Sequence, residues 1–180
     1  MRIALTGKKY SGKSTAARYM ATKYGYRLMS IAEPIKEILM TILRIHPVYL
    51  YNADFKEVAI PGLNVTGRRL MQMIGTEMFK HDFPRYFPEI TGNIWMRNLR
   101  MKLDDCGSDV VVDDMRAADE SNELHEMNFV RLRIVRSSND HVSVDSHSSE
   151  SGCDADHEIL NDGSVDDLYR KIDEFIISQM

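Results

Sequence analysis

The chain has 180 residues, 43% of them apolar and 28% charged, with a net charge of −4 at pH 7. That is the composition of one soluble globular domain with enough chain to bury a single core. The overall acidity argues against non-specific nucleic-acid binding, no apolar run approaches the length of a membrane span, and the start, MRIALTGKK, lacks the small-residue cleavage site of a signal peptide.

Arg2 to Thr6 (RIALT) is short, apolar and bounded by Gly7, which predicts a buried strand. Lys13 to Tyr24 carries helix formers and stops at Gly25. Tyr26 to Ile31 reads as a second strand. Pro34 to Leu43 reads as a helix with proline in its first turn, where the missing N–H does no harm. His46 to Val65 is of mixed composition and predicts irregular chain with one short helix. Thr66 then caps a helix to about Lys80, with Leu70, Met71, Ile74 and Met78 at helical spacing. Prolines and a glycine break the stretch from Pro84 to Gly92. Asn93 caps another helix to about Leu103, and the spacing of Trp95, Leu99 and Leu103 predicts a core face.

Val110 to Val112, with Asp109 and Asp113 at its ends, predicts a strand. Ala117 to Met127 predicts a helix, and the alternating Phe129 to Val135 a strand. Residues 137–156 are rich in Ser, Asp and His and poor in large aliphatics, the composition of a mobile loop. Glu158 to Leu160 predicts a last short strand, and Gly163-Ser164 opens a closing helix to about Ile177. Strands alternate with helices throughout, so an α/β fold with a mainly parallel sheet covered on both faces is expected, as one domain over 1–180. Cys106 and Cys153 have no metal-like spacing, which predicts reduced thiols in a cytoplasmic protein.

Gly7, Gly12, Lys13 and Ser14 match the phosphate-cradle pattern G-x-x-x-x-G-K-[ST], between a predicted strand and a predicted helix. Loop N–H groups and the helix dipole converge on phosphate oxygens in that setting. Gly7, Tyr10, Ser11, Gly12, Lys13, Ser14 and Thr15 are therefore the expected ATP-binding residues. Lys13 reaches the β- and γ-phosphates, and the Ser14 hydroxyl faces Mg²⁺. The motif alone does not separate kinases from switches and other ATPases.

Charge is unevenly spread: residues 1–103 hold 17 Lys+Arg against 7 Asp+Glu, and residues 104–180 hold 6 against 20. Lys36, Arg68 and Arg69 fall in first turns of predicted helices, and Arg116 just before one. Cations there are unfavourable by roughly 0.3–1 kcal/mol each, which points to a second anion completing the site. A kinase with two phosphorylated substrates has that need. Asp113, Asp114 and Arg116 follow a strand, at the end where parallel sheets bind ligands, and a carboxylate there suits Mg²⁺.

These segments together resemble the deoxynucleoside monophosphate kinases of T-even and related bacteriophages, within the wider P-loop nucleoside monophosphate kinases. The likeness lies in GKKYSGKST, IAEPIK, GRRLMQMIGTE, DDMRAADE, DSHSSE and LNDGSVDDL, and spans nearly the whole chain. It implies a three-layer α/β/α P-loop kinase with a helical acceptor-binding insertion at 46–92 and a mobile lid at 137–156. It implies ATP and Mg²⁺, a deoxynucleoside monophosphate acceptor preferred over its ribose counterpart, and the host cytoplasm if the chain is phage-encoded. Lys36, Arg68 and Arg69 match basic positions near the acceptor phosphate, and Gln72 a position suited to its base or sugar. Asp114, Arg116 and Glu120 match a charged cluster beside the P-loop, with Asp114 expected beside Ser14 at the metal. Lys13, Arg69, Asp114 and Arg116 are the expected catalytic set.

Residues 137–156 contain no Lys or Arg, unlike many lids of this kind, so Arg131, Arg133, Arg136 or Arg116 must serve the transferring phosphoryl group; Arg136 is the expected ATP contact. His147, with Ser146, Ser148 and Ser149, is expected to meet bound nucleotide. The irregular spacing of His141, His147 and His157 argues against a metal site. A kinase of another small phosphorylated metabolite and a nucleotide-dependent switch are the alternatives, and a homodimer stays open. The partners expected are small molecules, with no nucleic acid and no membrane.

Overall fold

Every residue of RIALT after Arg2 is buried, because this strand, β1 (Arg2–Thr6), lies in the middle of a five-stranded sheet. The computed structural model describes residues 1–107, 109–137 and 153–179. Most of the expected lid, including His147, lies outside the described residues. The other strands are β2 (Arg27–Met29), β3 (Val110–Val112), β4 (Val130–Val135) and β5 (His157–Leu160). Their order is β2-β3-β1-β4-β5, and all four pairings are parallel, with Arg2 opposite Val110 and Ile3 opposite Val130. A central parallel strand is covered on both faces, so its sequence is a continuous apolar run rather than an alternation. β2 is shorter than Tyr26–Ile31; only Arg27, Leu28 and Met29 pair with β3.

The chain divides into two compact units, residues 1–30 with 106–180, and residues 31–105. The first holds the sheet, with helices α1 (Lys13–Tyr24), α7 (Ala118–Glu126) and α8 (Val165–Ser178). Its core joins Ile3 and Leu5 of β1 to Ala17 and Met20 of α1, Leu132 and Ile134 of β4, and Leu168 and Ile172 of α8. Each Leu, Ile or Met of this set contributes about 1.5–3 kcal/mol by leaving water. Gly25 ends α1 at φ 74, its N–H donating to the Met20 carbonyl. Ser164 opens α8 with a capping box: its hydroxyl accepts from the Asp167 N–H, and the Asp167 carboxylate accepts from the Ser164 N–H.

The second unit is helical: α2 (Glu33–Leu43), α3 (Val48–Tyr51), α4 (Gly67–Gln72), α5 (Phe83–Tyr86) and α6 (Ile94–Asp104), with a 3₁₀ turn at Phe55–Glu57. Thr66 caps α4 through its hydroxyl, which accepts from the Arg69 N–H at 3.2 Å, and Asn93 caps α6. The helix expected to run to Lys80 stays α-helical only to Gln72, then continues as a π-helix over Met73–Asp82. The buried Trp95 indole N–H donates to the Gly75 carbonyl at 2.9 Å within that segment, and Phe79 packs on Trp95 with ring centres 5.1 Å apart. A side-chain donor on the carbonyl ladder is a known cause of such local widening. Trp95 is thus a core residue, as its spacing predicts. α5 was not expected, because Pro84 reads as a breaker; it sits in the first turn, where proline is tolerated.

In the first unit, Arg131 is buried. Its Nε and Nη2 donate to Asp156, and its Nη1 to the Ser121 hydroxyl. The guanidinium holds the Asp156 carboxyl down at about 2, against an ordinary 3.8. A carboxyl depressed by folding stabilises the fold above its unfolded value and loses that contribution as pH falls towards the folded one. The loss here runs from about pH 4 down to about pH 2 and, because Asp156 is exposed and the pair is screened by water, amounts to about 1 kcal/mol or less. Asp156→Asn should therefore lower stability at pH 7 by about that much and flatten the acid limb of the curve. Urea melts at pH 7 and pH 3 check this; curves for the two proteins that stay parallel would remove Asp156 from the account.

Candidate functional site

Ligands of parallel sheets lie beyond the carboxyl ends of the strands. The segment leaving β1 is GKKYSGKST. Gly7 has φ 137 and Gly12 φ 108, and a Cβ would meet the Ile134 carbonyl oxygen at 2.2 Å or Asn161 Nδ2 at 2.5 Å. Only glycine fits either position. Gly12 is also the N-cap of α1 and supplies no side-chain cap, so the first-turn N–H groups face outward from an uncapped end. Lys13 Nζ donates to the carbonyls of Gly7 and Lys8, the latter at 2.8 Å. The Ser11 hydroxyl is buried and has no hydrogen-bond partner among the described residues. Tyr10 stands exposed at φ 65, with Lys9 Nζ 4.9 Å from its ring centre. Thr15 follows Ser14 in the first turn of α1. A loop closed to any Cβ, with a lysine at its mouth and an orphaned hydroxyl inside, fits a chain of phosphates.

Beyond β3, the Ser14 hydroxyl donates to Asp113 Oδ2 at 3.3 Å, while the Ser30 hydroxyl donates to Asp114 Oδ2 at 2.5 Å. The carboxylate beside Ser14 is thus that of Asp113, and Asp114 is turned to Ser30. Extended backbone sends neighbouring side chains to opposite sides, and the Asp113 N–H still pairs with the Met29 carbonyl at 3.4 Å. The sequence offers two adjacent aspartates and no sign of which one faces the helix after β1. Glu120 accepts from the backbone N–H groups of Arg116 (2.9 Å) and Ala117 (3.1 Å), closing the start of α7. Burial pushes its carboxyl up, Asp114 and Asp119 add to that, and the two N–H groups oppose it. The Arg116 side chain is exposed.

Beyond β4, Arg136 is exposed. Arg131 is committed to Asp156, and Arg133 donates to the Cys153 carbonyl. Beyond β5 comes a residue that sequence reasoning did not single out. Asn161 is buried; its N–H donates to the Val135 carbonyl at 2.6 Å, and its Nδ2 to the Ser11 carbonyl at 2.8 Å. The LNDGS stretch was its only signal, and nothing in it shows what the amide reaches. Asp162 accepts from the Ser137 N–H and hydroxyl, both at 2.9 Å.

In the second unit, Lys36 Nζ donates to Glu33 Oε2 at 2.9 Å and lies 4.5 Å from the Tyr51 ring centre; the Tyr51 hydroxyl donates to the other Glu33 oxygen. Arg68 donates to Glu57. These carboxylates already offset the cost of cations at helix starts, so that cost alone no longer demands a bound anion at Lys36 or Arg68. Arg69 and Gln72 are exposed on α4. Among the described residues, no helix is long and apolar enough to cross a membrane.

The family model for deoxynucleotide monophosphate kinase matches residues 52–172. A protein provisionally assigned as a deoxynucleotide monophosphate kinase in Acanthamoeba polyphaga mimivirus is 26% identical over 183 residues, 94% of this chain and 93% of that one. The deoxynucleotide monophosphate kinase of Escherichia phage RB69 is 33% identical over 127 residues, 66% of this chain and 48% of the phage protein. The match thus spans about half the length of that relative. Shikimate kinase from Aquifex aeolicus superposes with a TM-score of 0.53 over 99% of this chain and 98% of its own, at 13% identity, which shows a shared fold.

Proposed function

This chain belongs to the deoxynucleotide monophosphate kinase family, and from that membership we propose that it transfers the γ-phosphoryl group of ATP to the 5′-phosphate of a deoxynucleoside monophosphate. ADP and a deoxynucleoside diphosphate leave. The observation that carries the donor half is the cradle at Gly7–Thr15, closed to any side chain at Gly7 and Gly12 and followed by Lys13. No protein nucleophile is needed, because an acceptor phosphate oxygen attacks directly; the residues position and neutralise. Lys13 leaves the Gly7 and Lys8 carbonyls for the β- and γ-phosphate oxygens. Ser14 and Asp113 would hold Mg²⁺, which would neutralise phosphate charge. Asp114 holds the turn after β3 through Ser30, Glu120 fixes the backbone from which Arg116 projects, and Arg116 and Arg136 supply positive charge. The reaction belongs to the cytoplasm, that of the host for a phage-encoded chain.

Lys36, Arg68, Arg69 and Gln72 are the groups we assign to the acceptor, with Arg69 the principal phosphate contact. Arg69→Ala should raise KM for the monophosphate by roughly 10–100-fold, the cost of a charge-assisted hydrogen bond, with KM for ATP little changed. Steady-state kinetics with each substrate varied in turn measures this, and a rise confined to ATP moves Arg69 to the donor side.

A panel of deoxynucleoside and ribonucleoside monophosphates, assayed for ADP release from ATP, tests the whole reading. Monophosphate-dependent release, with higher kcat/KM for deoxyribose, is the expected result. Release independent of any monophosphate, or dependent only on a phosphorylated non-nucleotide, overturns it.

A further inference from the structure

Asn161 is part of neither the phosphate-cradle motif nor any role assigned above, yet it reaches the cradle from the far end of the sheet. Its Nδ2 donates to the Ser11 carbonyl at 2.8 Å, and the same nitrogen lies 2.5 Å from where a Cβ on Gly12 would sit. The amide therefore packs on the Ser11–Gly12 peptide as well as bonding to it. Asn161 is itself fixed from behind: its N–H donates to the Val135 carbonyl, extending the β4–β5 ladder by one residue, and Lys171 Nζ donates to the carbonyl of Leu160 just before it. The side chain is buried, so a replacement that cannot donate leaves the Ser11 carbonyl without its partner in a dry place.

We propose that Asn161 is a positioning residue for nucleotide binding, setting the orientation of the Ser11–Gly12 peptide and so the direction of the Gly12 N–H. A trans peptide points its C=O and N–H in opposite directions. Holding the Ser11 carbonyl against Asn161 turns the Gly12 N–H away from it, as a donor to phosphate oxygen at the start of α1. Without that grip the peptide can rotate about Ser11 ψ and Gly12 φ, and Gly12, at φ 108, has no Cβ to resist the turn. This rests on the reading of the loop as a nucleotide cradle, and the test separates the two.

The test is calorimetric titration of ADP into the whole protein without monophosphate, beside steady-state kinetics for both substrates and thermal melts. Asn161→Asp has the same shape but presents oxygen where the donor was; Asn161→Ala removes the group; Asn161→Gln keeps a donor. Folded Asn161→Asp and Asn161→Ala should bind ADP about tenfold or more weakly, the effect of one lost buried hydrogen bond, and raise KM for ATP alike while KM for the monophosphate stays within about twofold. Asn161→Gln should fall between them and the parent. Unchanged ADP affinity in folded Asn161→Asp overturns the proposal. So does an equal rise in both KM values, which is general loosening. A parent protein that binds no ADP overturns the cradle reading itself, a different failure.

Discussion

Lys13→Ala should give a folded protein whose phosphoryl transfer is slower by about 10²–10³-fold, the usual effect of removing one preorganised positive donor from a developing charge. The Lys13 amine donates to the carbonyls of Gly7 and Lys8, and Lys13 is not one of the core residues, so its loss should leave the packing of Ile3, Leu5, Met20 and Leu132 as it was. The reason for the large effect is chemical: the γ-phosphoryl group gathers charge on its outer oxygens as it moves, and the Lys13 ammonium, now on the Gly7 and Lys8 carbonyls, is the cation expected to meet them. Single-turnover rates at saturating ATP, beside a thermal melt, measure the two halves of this expectation. Turnover near the parent value in a folded variant would end the kinase reading.

Asp113→Asn should cost more than Asp114→Asn, and the two should differ in kind. Asp113 stands 3.3 Å from the Ser14 hydroxyl, and a neutral amide there holds a divalent cation poorly. The expected result is a fall in kcat of about a hundredfold, with a higher Mg²⁺ concentration needed for half-maximal rate. Asp114 accepts from Ser30 instead, so Asp114→Asn should disturb the turn after β3 and slow turnover by about tenfold or less, the effect of one hydrogen bond, with the Mg²⁺ dependence unmoved. Magnesium titrations of the two variants decide; a shift seen only in Asp114→Asn returns the metal role to Asp114.

The shape of the Gly7–Thr15 loop was legible because such a loop is a local object. Glycines at fixed offsets, a lysine and a hydroxyl are contiguous, and their geometry follows from a strand, a turn and a helix in succession. RIALT, KSTAARYMATKY and the caps Asn93 and Ser164 were legible for the same reason. What the sequence hid was pairing over distance. Asp113 and Asp114 differ only in which neighbour each meets after β3, and Asn161 meets Ser11, far away in the chain. The cations at helix starts looked uncompensated because Glu57 and Tyr51 could not be assigned to Arg68 and to the Glu33–Lys36 pair without the tertiary structure. The π-helical turn was hidden similarly, since helical spacing carries no record of the indole that meets Gly75.

The position of RIALT in the sheet constrains how the molecule comes off the ribosome. β1 is synthesised before both of its partners, β3 and β4, which begin at or after Val110. At roughly 5–20 residues per second, several seconds pass before either partner exists. Residues 31–105 are continuous and contain their own helices, so they can collapse during that interval, while the strand ahead of them waits with its backbone unpaired. Closing the sheet then joins segments across that already compact insert, and the nascent chain carries an exposed apolar edge until it does, the kind of segment that holdase chaperones protect.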